Sequence, residues 1–357
     1  MITPLPTRRR TRRTNRISQP KGRPPFSLNL IRYLIVLLIG LAIPPASRAE
    51  IVTDAGSSVV QTIPIAAPGF GLGGVGVSPN GKNVYVAVTA GLTVAVIDTA
   101  THQISSFIQT IDNPLGLVVS PDGSTLYVTE ENDTLEVIAL PTGESLYTVP
   151  VGSSPQIPGV SPDGTLVYVA CVDGTVTTID YNTGIVDSVT VGGEPFQVVF
   201  NAAGTEAYAA NSNQKYISVI NTATAAVTQI TMPQQTIGLV IDRTKLYATS
   251  VNAVYLINTT TQTVDTIPVS NPANAALGIP ALTPDGKYLY TGVLEILSTP
   301  ITIGDSLIVI DTKTKKVAGQ PIPVGVGPIQ VATAPNGKLG YVSNEISGTI
   351  SVIKLLK

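Results

Sequence analysis

The chain has no tryptophan, a single cysteine (Cys171), a single histidine (His102) and two methionines in 357 residues. One cysteine cannot close an internal disulfide, so oxidising surroundings would give this fold no crosslink. One histidine and one cysteine fall short of the ligand sets of ordinary zinc or haem sites. A Ser–His–Asp triad would need His102 in a cleft, whereas "DTATHQ" places it as an exposed residue in a turn between strands. Charge is scarce as well, at 12% of residues against 43% hydrophobic ones. Helical periodicity is missing beyond the first 50 residues. Little charge with much Val, Ile and Thr favours strands buried on both faces. The length accommodates two or three domains, or one large all-β domain.

The charge that is present lies unevenly. Residues 1–49 hold ten Lys/Arg and no acid. The remainder holds eleven bases against 23 acids, a net charge of −12. An acidic body lacks the basic surface that displaces counterions from nucleic acid, so no nucleic-acid partner is expected. The leader reads as an export signal. "TRRRTRRTNR" is its basic n-region, Tyr33–Ile43 is an apolar run of eleven residues, and "PPASRAE" offers Ser47 and Ala49 as the small residues of a cleavage site. A membrane span needs about 20 apolar residues, and Arg32 interrupts any longer run. No stable span is therefore expected after cleavage, the alternative being an uncleaved anchor. Arg12–Arg13 lies far from the apolar run and is a weak twin-arginine signal. The expected division is a signal peptide at 1–49 and one domain at 50–357, exported to the periplasm, cell surface or medium.

That domain repeats one phrase. "SPDGSTLYVTE" (120–130) returns as "SPNGKNVYVAV", "SPDGTLVYVAC", "TPDGKYLYTGV" and "APNGKLGYVSN". The phrase carries a tyrosine in seven copies: Tyr85, Tyr127, Tyr168, Tyr208, Tyr247, Tyr290 and Tyr341. A second series follows it, at Ile97, Ile138, Ile179, Ile220, Ile257, Ile310 and Ile353. Seven copies at a period near forty mark a repeat architecture. Within each copy, four runs rich in Val, Ile, Tyr and Thr are bounded by Gly, Pro, Asn or Asp. "SPDG" suits a tight type I turn, with Ser first, Pro second and Gly last. Four short antiparallel strands per unit make a propeller blade. The last copy stops at "GTISVIKLLK" without an outer strand, while "VVQTIPI" (59–65) is an outer strand without a preceding copy. The predicted fold is an all-β, seven-bladed propeller whose N-terminal strand completes the last blade and so removes an exposed edge.

The phrase "VSPDGxxxYV…VIDTxTxxVxxTIPVG" resembles the YVTN repeat of seven-bladed propellers in exported and surface-layer-type bacterial proteins. The resemblance covers about residues 57–357 and recurs in register. The fourth letter of the motif varies here: Val88, Glu130, Cys171, Asn211, Ser250, Val293 and Asn344. Because such propellers share a fold across functions, the resemblance implies an architecture and no particular reaction.

Several motifs are rejected on context. "GFGLGG" (Gly69–Gly74) fits a dinucleotide fingerprint, but no helix follows to hold a phosphate. "GVSPNGKN" is one residue short of a P-loop and coincides with the repeated turn, leaving Lys82 as a solvated turn lysine. Cys171 ends a strand and reads as a small buried hydrophobe. Without tryptophan, the docking motif of quinoprotein alcohol dehydrogenases is excluded.

The repeat register assigns loops to the two ends of the ring. At one end, the connections between blades and the loops between second and third strands carry Asp112, Glu130, Glu131, Asp133, Asp173, Glu194, Glu295, Asp305 and Glu345, with Lys215 the single base. At the other end fall Lys82, Arg243, Lys245, Lys287, Lys313, Lys315, Lys316 and Lys338. The ring is expected to be polarised. In blade six, Val293–Ser306 is an insertion, either a binding element or an extended hairpin. The sequence therefore predicts an exported, non-catalytic recognition or scaffold module whose acidic face takes a cationic ligand, a protein or a cell-envelope polymer. No cofactor is required. Carboxylates without imidazole or thiolate favour a hard cation such as calcium, if any metal. The alternatives are a lactonase-like propeller enzyme, for which no central His or Arg is placed, and a surface-layer component.

Overall fold

The computed structural model describes residues 56–66, 71–270, 274–296 and 302–357. The expected signal peptide and its cleavage site lie outside these residues. Among the described residues the only helical element is a single 3-10 turn, Thr89–Gly91, and no helix is long and apolar enough to cross a membrane.

Seven blades of antiparallel strands follow one another. Blade two is representative: Pro114–Val119, Thr125–Glu130, Thr134–Ala139 and Ser145–Pro150 pair in sequence order from the inside outward. Blade seven consists of Pro328–Thr333, Leu339–Asn344 and Thr349–Lys354, and its fourth strand is Ser58–Pro64. That N-terminal strand pairs antiparallel with Thr349–Lys354, from Ser58 opposite Lys354 to Pro64 opposite Thr349. The ring is thus closed by the strand the sequence left without a partner.

The inner strands lie close around the axis, and the side chains explain how. A Cβ on Gly116 would meet the carbonyl oxygen of Gln156 at 2.8 Å and the Cα of Ile157 at 2.9 Å, in the next blade. Gly73, Gly159, Gly238 and Gly278 make the same close approach to the following inner strand. Only a residue without a side chain lets two backbones come this near. Blades four and seven use glutamine instead. Gln197 Oε1 accepts the Leu239 N–H at 2.7 Å, and Gln330 Oε1 accepts the Val75 N–H at 3.3 Å. "GFGLGG" therefore serves packing: Gly73 and Gly74 lie in the strand Leu72–Val77, against Leu115 and Leu117.

Between blades, the seven repeat tyrosines are buried, with 0–4% exposure. They pack with the Ile series, Tyr127 edge-on to Tyr181 at 6.2 Å and Tyr168 against Phe200 at 4.9 Å. Burial of such a side chain stabilises the fold by roughly 1.5–3 kcal/mol. One such residue per blade joint distributes that energy around the ring.

The turns between inner and second strands form a second ring. In the "SPDG" turn, Gly123 N–H donates to the Ser120 carbonyl at 2.9 Å, while Asp122 Oδ1 accepts from Ser120 Oγ at 2.5 Å and Ser124 N–H at 3.0 Å. Gly123 sits at φ +75°, where a side chain is disfavoured. The proline of one turn lies over the glycine of the next: Pro79 over Gly123, Pro121 over Gly164, Pro162 over Gly204, Pro284 over Gly337 and Pro335 over Gly81. The ring breaks at blades four and five: the blade-four turn, "NAAG" (201–204), has no proline, and the blade-five turn is "IDRT". There Asp242, at 2.9 Å from where a Cβ on Gly286 would stand, takes the place a proline has elsewhere.

The described parts of the blade-six insertion, 293–296 and 302–306, continue the blade's antiparallel ladder. Its strands run Tyr288–Ile296 and Thr302–Asp311, longer than the six-residue strands of other blades, with Glu295 opposite Ile303.

Candidate functional site

The loops that the register assigned to the acidic end do share one end of the ring. Each second strand finishes there, beside the linker that enters the blade. In blade two, Glu131 N–H donates to the Asn113 carbonyl at 3.1 Å, and Asn113 Nδ2 donates to Glu131 Oε2 at 3.1 Å. The following linker is clamped by two aspartates. Asp133 Oδ1 accepts the Ser154 N–H at 2.8 Å, and Asp173 Oδ2 accepts the Ser153 N–H at 2.8 Å. Asp133 adopts φ +64°, a left-handed position that Asp tolerates better than most side chains. Glu131, Asp133 and Asp173 are thereby tied to the linkers that enter blades two and three, the first of which carries Asp112.

The remaining expected residues are spread around the same end. Glu194 and Glu345 are half-buried beside the linkers into blades four and seven. Glu295 lies in the long blade-six strand, where burial raises its carboxyl pKa. Asp305 is exposed on the partner strand and Lys215 is exposed in blade four. Among the described residues, no three His, Cys, Asp or Glu side chains come together as a group able to hold a metal ion.

Glu130 is not on this surface. It is fully buried, as is Glu136 on the neighbouring third strand. The physical reason lies in the repeat. The fourth letter of the motif points inward at a joint formed with the third strand and the entering linker. Asn211 Nδ2 donates to Ser218 Oγ at 3.1 Å, and Ser218 Oγ donates to the linker carbonyl of Val191 at 3.3 Å. Asn344 Nδ2 donates to Ser351 Oγ at 3.0 Å, and Ser351 Oγ accepts the linker N–H of Gly325 at 3.3 Å. Cys171 and Thr177 stand at the same positions, 3.9 Å apart. In blade two the joint is two carboxyl groups. The Ile111 N–H is shared between Glu130 Oε1 at 3.1 Å and Glu136 Oε2 at 3.2 Å, while Asp112 N–H and Thr134 Oγ1 also donate to Glu130 at 3.0 and 2.8 Å. Burial drives the Glu130 pKa up to about 7; the Asp112 N–H opposes the shift and the hydrogen-bonded Glu136 reinforces it. Glu136 Oε1 has no partner.

The opposite end is mixed rather than basic. Its lysines share the turns with Asp98, Asp122, Asp163, Asp180, Asp285 and Asp311, which the register ledger of bases left out. Asp122 and Asp285 are held down to about 2, chiefly by hydrogen bonds from Ser120 and Thr283. Lys287 lies 3.0 Å from Asp285 and Lys315 lies 2.6 Å from Asp265. The contrast between ends is therefore acidic against nearly balanced.

The other candidate groups sit apart. Cys171 is buried, and burial pushes its thiol up to about 11. His102 occupies a turn at the other end, at φ +55°, and is half-buried rather than exposed. Its carbonyl accepts from Gln61 Nε2 at 3.3 Å, while its Nδ1 has no partner.

No protein-family model matches the chain. A stretch of 130 residues, 34% of this chain, is 38% identical to the seven-bladed beta-propeller protein Rv1057 of Mycobacterium tuberculosis. The stretch covers 32% of that relative, about a third of its length. Among solved structures, hydrazine synthase of Kuenenia stuttgartiensis matches with a TM-score of 0.71 at 21% identity, over 88% of this chain and 100% of that one. The fold is a seven-bladed β-propeller. At this identity the structural likeness speaks to the fold alone.

Proposed function

We propose that this protein is an exported, non-catalytic recognition module of the YVTN-repeat kind, which takes a cationic partner on the acidic end of its ring. One observation carries the reading: the bases are confined almost wholly to the opposite end. Among the described residues, Asp112, Glu131, Asp133, Asp173, Glu194, Glu295, Asp305 and Glu345 share the acidic end with Lys215 alone. A surface of one sign accelerates the approach of an oppositely charged partner and fixes its orientation. The clamps of Asp133 and Asp173 on Ser154 and Ser153 support the reading further, because loops already ordered cost little to order on binding. The separation of the high-pKa, buried Cys171 from His102 at the other end supports the non-catalytic part. The partner is a basic protein segment or a polycationic envelope polymer.

The test is titration of the protein with a labelled oligolysine peptide at low and at physiological ionic strength. Binding is expected to weaken with salt, and to fall by about tenfold when Glu131→Gln, Glu194→Gln and Glu345→Gln are combined. Combined Lys313→Gln, Lys315→Gln and Lys316→Gln should leave it unchanged. Binding indifferent to salt, or sensitive to the lysine set instead, refutes the reading.

A further inference from the structure

The break in the turn ring opens a cavity. It has a volume of 420 Å³ and lies between the inner strands of blades four to seven, at the end away from the acidic loops. Pockets for small molecules span roughly 300–1,000 Å³ and are mostly apolar with few polar groups. Here the walls are mixed, with Val199, Ile241, Pro280 and Leu282 as apolar members and Gln197, Thr283 and Thr333 as neutral polar ones. The charged residue among them is Asp242.

Asp242 is an unusual acid for this end. The turn aspartates Asp122, Asp163 and Asp285 each accept hydrogen bonds from their own turns. The turn of blade five is too short for that arrangement: Asp242 pairs directly with Lys245 across Arg243 and Thr244. Its half-buried carboxylate makes no hydrogen bond or ion pair among the described residues. No base lines the cavity, and Lys287 nearby in blade six is tied to Asp285. A carboxylate with no protein partner, placed beside apolar side chains and with no base on the lining, is complementary to a cationic donor that carries an apolar group.

We propose that this cavity binds a small primary amine with a short apolar body, its ammonium held by Asp242. The apolar body fills the space that a proline turn closes at other blade junctions. An anionic molecule would meet the carboxylate unfavourably, and a neutral one would leave it unpaired.

The cavity is tested with three probes of one shape: phenethylamine, 2-phenylethanol and phenylacetate. Each is titrated into the ¹⁵N-labelled full-length protein while amide shifts are followed. Phenethylamine should saturate, with shifts centred on Ile241, Asp242, Ala281 and Leu282. The alcohol and the carboxylate should bind at least about tenfold more weakly, the difference a charge-assisted hydrogen bond makes. Asp242→Asn should reduce amine affinity to that of the alcohol, and Val199→Phe, which fills the wall, should weaken both. The proposal is overturned if none of the three saturates, if the alcohol or carboxylate binds as tightly as the amine, or if neither variant changes amine binding.

Discussion

Replacing Glu130 with glutamine should change how stability depends on pH. Glu130 and Glu136 are both fully buried and draw on the same Ile111 N–H. The charged groups around them, Asp112 on the linker with Glu131 and Asp133 on the loop, are all acids. Two ionised carboxylates in this joint would repel each other with no counterion, so Glu130 keeps a proton into the neutral range. Its pKa rises from 4.5 to about 7. A group whose pKa is raised on folding contributes stability that is fully present below its unfolded value and is lost as pH rises through its folded value. The window here runs from 4.5 to about 7. A shift of that size corresponds to about 3 kcal/mol between the ends of the window. The aspartates held near 2 act on the other side, stabilising above their ordinary range and losing that contribution only in strong acid. Urea denaturation of the wild type should therefore show stability falling from 4.5 to about 7 on the pH scale. Glu130→Gln should flatten that fall and be the more stable protein at the alkaline end, by up to about 3 kcal/mol. A wild-type curve that is flat or rising over this interval, or a variant with the same slope, refutes the account.

Other outcomes follow from the packing. Deleting residues 56–66 removes the outer strand of blade seven, with its ladder to Thr349–Lys354 and the buried Ile63, and should cost roughly 5 kcal/mol or leave aggregated protein; a soluble monomer with an unchanged melting temperature would contradict ring closure. Gly116→Ala places a methyl against the Gln156 carbonyl and should destabilise by about 2 kcal/mol or more in thermal melts, whereas Gly184→Ala, with nothing within 4 Å, pays only the backbone cost of φ +71°. Cys171 should resist a thiol-specific reagent at neutral pH and react only after denaturation, since it is buried with its thiol held near 11; fast labelling of the native protein would show that the joint opens.

The architecture was legible because repetition multiplies weak signals. A single "YVTE" says little, but a tyrosine recurring at one register, bounded by the same turn, specifies blade, strand order and the orphan N-terminal strand together. Loop positions followed from the same register, and Glu131, Asp133 and Asp173 do stand in the loops after second strands. Glu130 escaped because strand alternation says only that neighbours face opposite sides. Whether the last residue of a strand faces solvent or the entering linker depends on how that linker crosses it. The signal for its burial was available in the neutral residues at the same position: Val88, Cys171, Asn211, Ser250, Val293 and Asn344. Asp242 escaped for a different reason. It lies where the repeat is absent, in "VIDRTKLYATS", and a search for recurring phrases passes over the copy that lacks one.

In a ring of seven similar blades, each blade is a reference for the others, so a departure is informative even in a single chain. Three departures stand out. Blade six carries the long hairpin, blade two holds two acids in a joint that elsewhere is neutral, and blade five has a shortened turn with neither the proline nor the glycine, of which blade four keeps the glycine. Their physical consequences differ. The described part of the hairpin extends an existing ladder. The acid pair lowers stability at neutral pH without touching the surface. The missing turn alone produces both an opening and an unpaired charge inside it. Stability does not require that combination: a proline turn would close the gap, as Pro284 does over Gly337 between blades six and seven, and remove the half-buried carboxylate. A substitution that rebuilds the turn, replacing "DRTK" (Asp242–Lys245) with the six residues "SPDGST" of blade two, should therefore raise the melting temperature while abolishing amine binding. Stability gained with amine binding intact would mean that the site does not depend on the gap.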